Sequence, residues 1–235
     1  MVFQFDLMHV DAPDNAGWLA WQQWKLKEFK EIVNLWQTFK VKDGFWNATY
    51  IENHDQARSV SRFGNTSTSA LQLLTAKLLC ILQTSQSGTL YVYQGEELGL
   101  KNFPRSWGLE EYKDVASQNW YEKIREERAR EGREDMSDVL DGLSMKARDH
   151  ARVPMQWDAS SNAGFTTGKP WMRVNDDYKE WNAGAQIGNP DSVLGFWKKA
   201  LGIRKEFKNS LVSVVLPLCD VRHIKQRLFT GLRSL

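Results

Sequence analysis

The sequence predicts an α/β protein built from parallel βα units. Two observations predict it. Three short aromatic and β-branched runs alternate with two amphipathic stretches of helical period, and each run gives way to a cluster of ionisable side chains. Strands joined by right-handed helical crossovers send every following loop to one edge of the sheet, where α/β enzymes place their chemistry.

The first run, Met1-Val2-Phe3-Gln4-Phe5, reads as a strand that yields to Asp6, His9, Asp11 and Asp14 in a loop, with Asp14 or Asn15 capping the next helix. From 18 to about 40 the apolar residues Trp18, Trp21, Leu26, Phe29, Ile32, Val33, Trp36 and Phe39 recur mostly three or four apart. That spacing is an amphipathic helix of about six turns. Asp43-Gly44 ends it, and residues 46–51 form the second strand. This strand delivers Glu52-Asn53-His54-Asp55-Gln56-Ala57-Arg58, the densest set of ionisable and amide side chains after any apolar run in the chain. Leu71, Leu74, Leu78, Ile81 and Leu82 mark a second, more apolar helix, with Thr66 or Ser67 as its cap and Ser87-Gly88 as its stop. Thr89-Leu90-Tyr91-Val92-Tyr93 is the third strand, and its exit carries Glu96 and Glu97.

Residues 101–148 are too many for a plain connection, and the charged piece 122–135 makes a helix solvated on nearly every face; we expect an elaborated loop along a cleft wall. It leads to a second dense cluster, Arg148-Asp149-His150-Ala151-Arg152-Val153-Pro154-Met155-Gln156-Trp157. A helix over about 191–208 packs back on the sheet. Beyond it, the apolar run 211–218 looks strand-like, and 221–235 has no clear period.

Composition excludes several classes. With 31 basic against 29 acidic residues the net charge is only +2, so no field exists to recruit nucleic acid or an anionic membrane. Cys80 and Cys219 lie far apart, Cys80 inside a helical pattern, which argues against a disulfide framework and for a reducing, cytoplasmic setting. No apolar run is long enough to span a bilayer, and no signal peptide is visible. Most of the eleven tryptophans are expected in cores. Glycine-rich phosphate loops, two-His zinc motifs, Cys-x-x-Cys pairs and nucleophile-elbow serines are all missing. What remains is carboxylate, His and Arg on strand-end loops. That set suits a neutral, hydroxyl-rich ligand and the cleavage of a glycosidic bond, whose oxocarbenium-like transition state is stabilised by nearby negative charge.

The motif 52–58, together with Thr89-Leu90-Tyr91-Val92-Tyr93-Gln94-Gly95-Glu96-Glu97-Leu98-Gly99 and the cluster 148–157, resembles the α-glucosidases of glycoside hydrolase family 13, the maltases, isomaltases and oligo-1,6-glucosidases. The resemblance implies part of a (β/α)8 TIM barrel over 1–208, holding its sixth, seventh and eighth strands, with 209–235 an irregular tail in place of a β-sandwich. It implies Asp55 as the transition-state-stabilising carboxylate, His54 and Arg148 as binders of the same sugar, and His9, Gln56 and Arg58 on the pocket's rim. The implied partner is a small oligosaccharide, and no cofactor or metal takes part in bond cleavage. In the family the nucleophile and general acid lie on the fourth and fifth strands, which would precede Met1. The chain alone is therefore expected not to hydrolyse. A non-enzymatic sugar-binding or transporter-accessory relative, or a truncated gene product without a stable fold, would carry the same motifs.

Overall fold

The computed structural model describes residues 1–14, 17–39 and 44–213. Among them β1 (Val2–Phe3), β2 (Asn47–Thr49) and β3 (Thr89–Leu90) form one parallel sheet in the order β1-β2-β3. Val2 pairs with Asn47, and Ala48 pairs with Phe3 on one side and Thr89 on the other. The strands are shorter than the apolar runs. Past Thr49 the ladder gives way to other bonds: the Tyr91 amide donates to the Thr49 carbonyl at 2.9 Å, and the buried Tyr50 hydroxyl donates to the Gln4 carbonyl at 2.8 Å.

Between β1 and β2 lies α1 (Leu26–Thr38), which starts at Leu26 and not at Trp18. The late start has a packing cause. Leu19 is buried in a cluster with Phe103, Trp107 and Leu143, whereas Phe29 and Val33 are buried with Tyr50 and Ile51 behind the sheet. One straight helix cannot serve both. The residue before α1 is Lys25, without a side-chain cap bond, so Asp14 does not cap it; Asn15 and Asp43 lie outside the described residues.

Between β2 and β3 lie α2 (Ser59–Phe63) and α3 (Ser69–Thr84). The cap of α3 is Thr68, the third hydroxyl in a Thr66-Ser67-Thr68 run, accepting from the Leu71 amide at 3.2 Å.

Residues 101–148 are more than a loop. They contain α4 (Val115–Arg130) and α5 (Ser137–Lys146), and with Leu19 they build a second core around Phe103, Trp107, Tyr112 and Leu143. Ser117 is the buried residue of α4, in keeping with its charged sequence. The short α6 (Asp149–Arg152) and α7 (Ala183–Gln186) follow. Then α8 (Val193–Glu206), capped by the Ser192 hydroxyl, packs on α3.

Leu211 ends α9 (Lys208–Leu211), the last helix among the described residues, where the apolar run predicts a strand. The rest of that run, Cys219 and 221–235 lie outside the described residues. Among the described residues no helix is long and apolar enough to cross a membrane. Cys80 is buried, which pushes its thiol up to about 12.

Candidate active site

The loop after β2 is a tight turn built on Asn53. Its side-chain oxygen accepts from the Asp55 amide at 2.8 Å and its carbonyl from the Gln56 amide at 3.2 Å. Such an Asx turn lifts the two intervening side chains away from the sheet. The side chain of His54 is 73% exposed and that of Asp55 37%.

Three cationic or polar groups converge on Asp55. Its Oδ1 accepts from Arg152 Nη2 at 2.8 Å and lies 3.4 Å from Arg148 Nε, while Oδ2 lies 3.3 Å from His54 Nε2. The arginines come from one turn of chain: Arg148 immediately precedes α6 and Arg152 ends it, and a spacing of four brings both to one face. The Arg148 guanidinium also sits 4.7 Å over the Trp18 ring. Thus the structure brings Asp55, His54 and Arg148 together.

Beneath this exposed layer lies a buried one. Glu52 Oε2 accepts from Arg58 Nη1 at 3.0 Å, and Glu52 Oε1 accepts from both the amide and the hydroxyl of Ser59 at 2.7 Å. Arg58 Nη1 also donates to the Gln94 carbonyl at 2.8 Å, fastening the β2 loop to the β3 exit. Arg58 is only 2% exposed, so it stands under the site and not on a rim. A charged group so placed needs full pairing, which Glu52 and the Gln94 carbonyl supply.

Nearby, Glu96 accepts from the Tyr93 amide and from Gln83; burial first, then the Glu52 charge, holds its carboxyl well above the usual range. On the β1 side, Asp11 takes a bidentate contact from Arg62, with Nε at 3.0 Å and Nη2 at 2.7 Å, and Lys146 Nζ at 3.2 Å. Burial would raise the Asp11 carboxyl, but Arg62 and Lys146 outweigh it and hold it low.

Two further expected rim residues are placed differently from Asp55. Gln56 is turned toward Arg62, whose Nη1 donates to it at 2.8 Å. His9 is exposed at the end of the turn after β1, with partial desolvation and then the charges of Lys146 and Arg62 holding it below its usual value. Arg152, Asp114 and Arg62 are the site-building residues that sequence reading did not single out. Arg152 had one visible signal, its spacing of four from Arg148. Among the described residues no three His, Cys, Asp or Glu side chains converge as a metal site requires.

A half-exposed carboxylate thus stands between two guanidiniums on a loop at the carboxyl end of the middle parallel strand. The model of the alpha-amylase catalytic domain matches residues 1–213. The chain belongs to glycoside hydrolase family 13, the alpha-amylase family. It is 42% identical over 214 residues to an alpha-glucosidase of Schizosaccharomyces pombe and 41% identical over 208 residues to an oligo-1,6-glucosidase of Parageobacillus thermoglucosidasius. These alignments cover 90% and 88% of the chain but 36% and 35% of the two relatives, so the chain spans about a third of their length.

Among solved structures, the trehalose-6-phosphate hydrolase of Bacillus licheniformis superposes with a TM-score of 0.79 at 38% identity, covering 88% of this chain and 36% of that one. The isomaltulose synthase of Erwinia rhapontici superposes with a TM-score of 0.79 at 33% identity, covering 90% and 36%. The three parallel strands and their helices are therefore a partial α/β barrel of this family.

Proposed function

We propose that the chain supplies the sixth, seventh and eighth strands of the barrel of a retaining α-glucosidase that removes terminal α-linked glucose from maltose-like or isomaltose-like sugars, with Asp55 as transition-state stabiliser. The supporting observation is the Asp55 carboxylate itself. It is half-exposed, at the strand edge where the chemistry of such barrels sits, and it is kept from collapsing onto the sheet by the Asn53 turn and the two arginines. Negative charge fixed there faces the positive charge that develops on the sugar ring during cleavage, and it needs no reorganisation at that moment. In this reading His54 and Arg148, within 3.4 Å of Asp55, donate to hydroxyls of the same ring.

Retaining cleavage also needs a nucleophile and a general acid about 5 Å apart. In this reading both come from strands other than β1, β2 and β3, so residues 1–235 alone bind sugar but do not hydrolyse it. The test has two arms. Residues 1–213 are exchanged for the matching segment of the Schizosaccharomyces pombe alpha-glucosidase, and the exchange protein is assayed on maltose, isomaltose and a chromogenic α-glucoside. Hydrolysis that Asp55→Asn lowers by several orders of magnitude is expected. A folded exchange protein whose activity ignores Asp55→Asn sinks the assignment. In the second arm the chain alone is assayed, and turnover that Asp55→Asn abolishes overturns its predicted inactivity.

A further inference from the structure

Arg152 is unusual in the site because each of its three nitrogens has a different partner. Nη2 donates to Asp55 Oδ1 at 2.8 Å, Nε to the His54 carbonyl at 3.0 Å, and Nη1 to Asp114 Oδ2 at 2.5 Å. Asp114 is the N-cap of α4, and its other oxygen accepts from the Ala116 amide at 2.9 Å and the Ser117 amide at 3.3 Å. This capping carboxylate is in turn held from below: the Asp114 amide donates to the buried Asp149 Oδ1 at 2.8 Å, and the Ser117 hydroxyl donates to Asp149 Oδ2 at 3.3 Å. The Arg152 carbonyl accepts from the Trp171 indole at 2.8 Å, which fixes the other end of the arginine.

We propose that Arg152 and Asp114 are positioning residues that set where the Asp55 carboxylate stands, by fastening the His54-Asp55 turn to the first turn of α4. A guanidinium is a planar fork whose donors point in fixed directions. With Nη1 anchored on a rigid helix end and Nε on the His54 carbonyl, Nη2 is left one position for the Asp55 oxygen. The first turn of α4 thereby acts on the site through Asp114, which is 8% exposed at its side chain and shielded from competing water. The inference rests on the reading of Asp55 as the sugar-facing charge only for its functional consequence; the fastening itself is geometric.

Full-length chain labelled with 15N tests it, using Asp114→Ser and Arg152→Lys with glucose as the probe. Serine keeps the cap of α4 but cannot pair with Arg152. Lysine keeps the charge but cannot reach three acceptors at once. In both variants the His54 and Asp55 amide resonances are expected to move by more than a linewidth. In Asp114→Ser the Ala116 and Ser117 amides stay in place, and glucose affinity falls about tenfold, the size of one lost charge-assisted hydrogen bond. A role in stability alone would lower the melting temperature and leave the His54 and Asp55 resonances where they were; that result overturns the proposal. If glucose perturbs nothing in the parent chain, the sugar reading fails while the amide shifts still decide the fastening.

Discussion

Glu52 and Arg58 carry a larger structural load than the exposed residues they support. Both are almost fully buried, and each charge is matched by the other. Removing one partner leaves an uncompensated buried charge, which is worse than removing both. Arg58→Met should therefore destabilise the chain by about 3–5 kcal/mol in urea unfolding. The paired change Glu52→Gln with Arg58→Met should recover a large part of that loss, because the orphaned charge is gone.

His150 gives a pH signature of definite sign. Its ring is 1% exposed, with Nε2 3.0 Å from the Leu143 carbonyl, and burial pushes it down to about 3 from an ordinary 6.5. Between those values the unfolded chain binds a proton that the folded chain refuses. Stability is thus fully present above pH 6.5 and falls as the pH drops toward 3, by about 2 kcal/mol between pH 7 and 5 for this group. Urea midpoints measured across that range should show the decline, and His150→Gln should flatten it. An unchanged slope in the variant would mean that His150 is not its source.

Among the elements, the end of α3 and the start of β3 depend on a residue far along the chain. Arg204 of α8 is buried and donates to the carbonyls of Thr84, Gln86 and Gly88 at 2.7, 2.6 and 2.8 Å. It satisfies acceptors that a helix end and a strand start would otherwise leave orphaned. Arg204→Met should cost about 3 kcal/mol and loosen β3 first, seen as faster amide exchange at Tyr91 than at Leu79.

Periodicity reads such elements well only when one neighbour decides their packing. In α3 Leu71, Leu74, Leu78 and Ile81 stay exposed while Ala76, Leu79 and Cys80 are buried, so the helix, though not its buried face, is legible. The start of α1 is not, because Trp18 and Trp21 keep a helix-like apolar spacing yet Trp18 packs with Leu19 against the second core. Likewise the charged piece 122–135 correctly suggests a solvated helix, but nothing local announces that its neighbour α5 buries Leu143 against Phe103.

For the molecule as a whole, the consequence of a partial barrel is open sheet edges. Among the described residues β1 and β3 each pair with β2 on one side only. Val2, Phe3 and Phe5 beside the β1 edge are 48%, 44% and 50% exposed, and the Phe3 ring centroid lies 4.8 Å from that of Tyr91, itself 39% exposed. Unpaired edges flanked by apolar side chains associate. Light scattering of the chain should show concentration-dependent self-association, and Val2→Lys should reduce it without changing the far-ultraviolet circular dichroism. A monodisperse parent chain at high concentration would contradict this.

What could be read from residues alone was local: the alternation of strand and helix periods, the parallel order that follows from long helical crossovers, and the three motifs that identify the family. Asp55, His54 and Arg148 each lie inside such a motif, and the structure brings the three side chains together. Contacts between distant residues were not legible, since no pattern within a window encodes them. Arg152 meets Asp55 across 97 positions and Asp114 across 38, and the burial of Arg58 depends on a carbonyl 36 positions away. Side-chain chemistry names the groups that can act. Packing of separated segments chooses which guanidinium meets the carboxylate, which one lies buried beneath it, and which helix end pairs with the first.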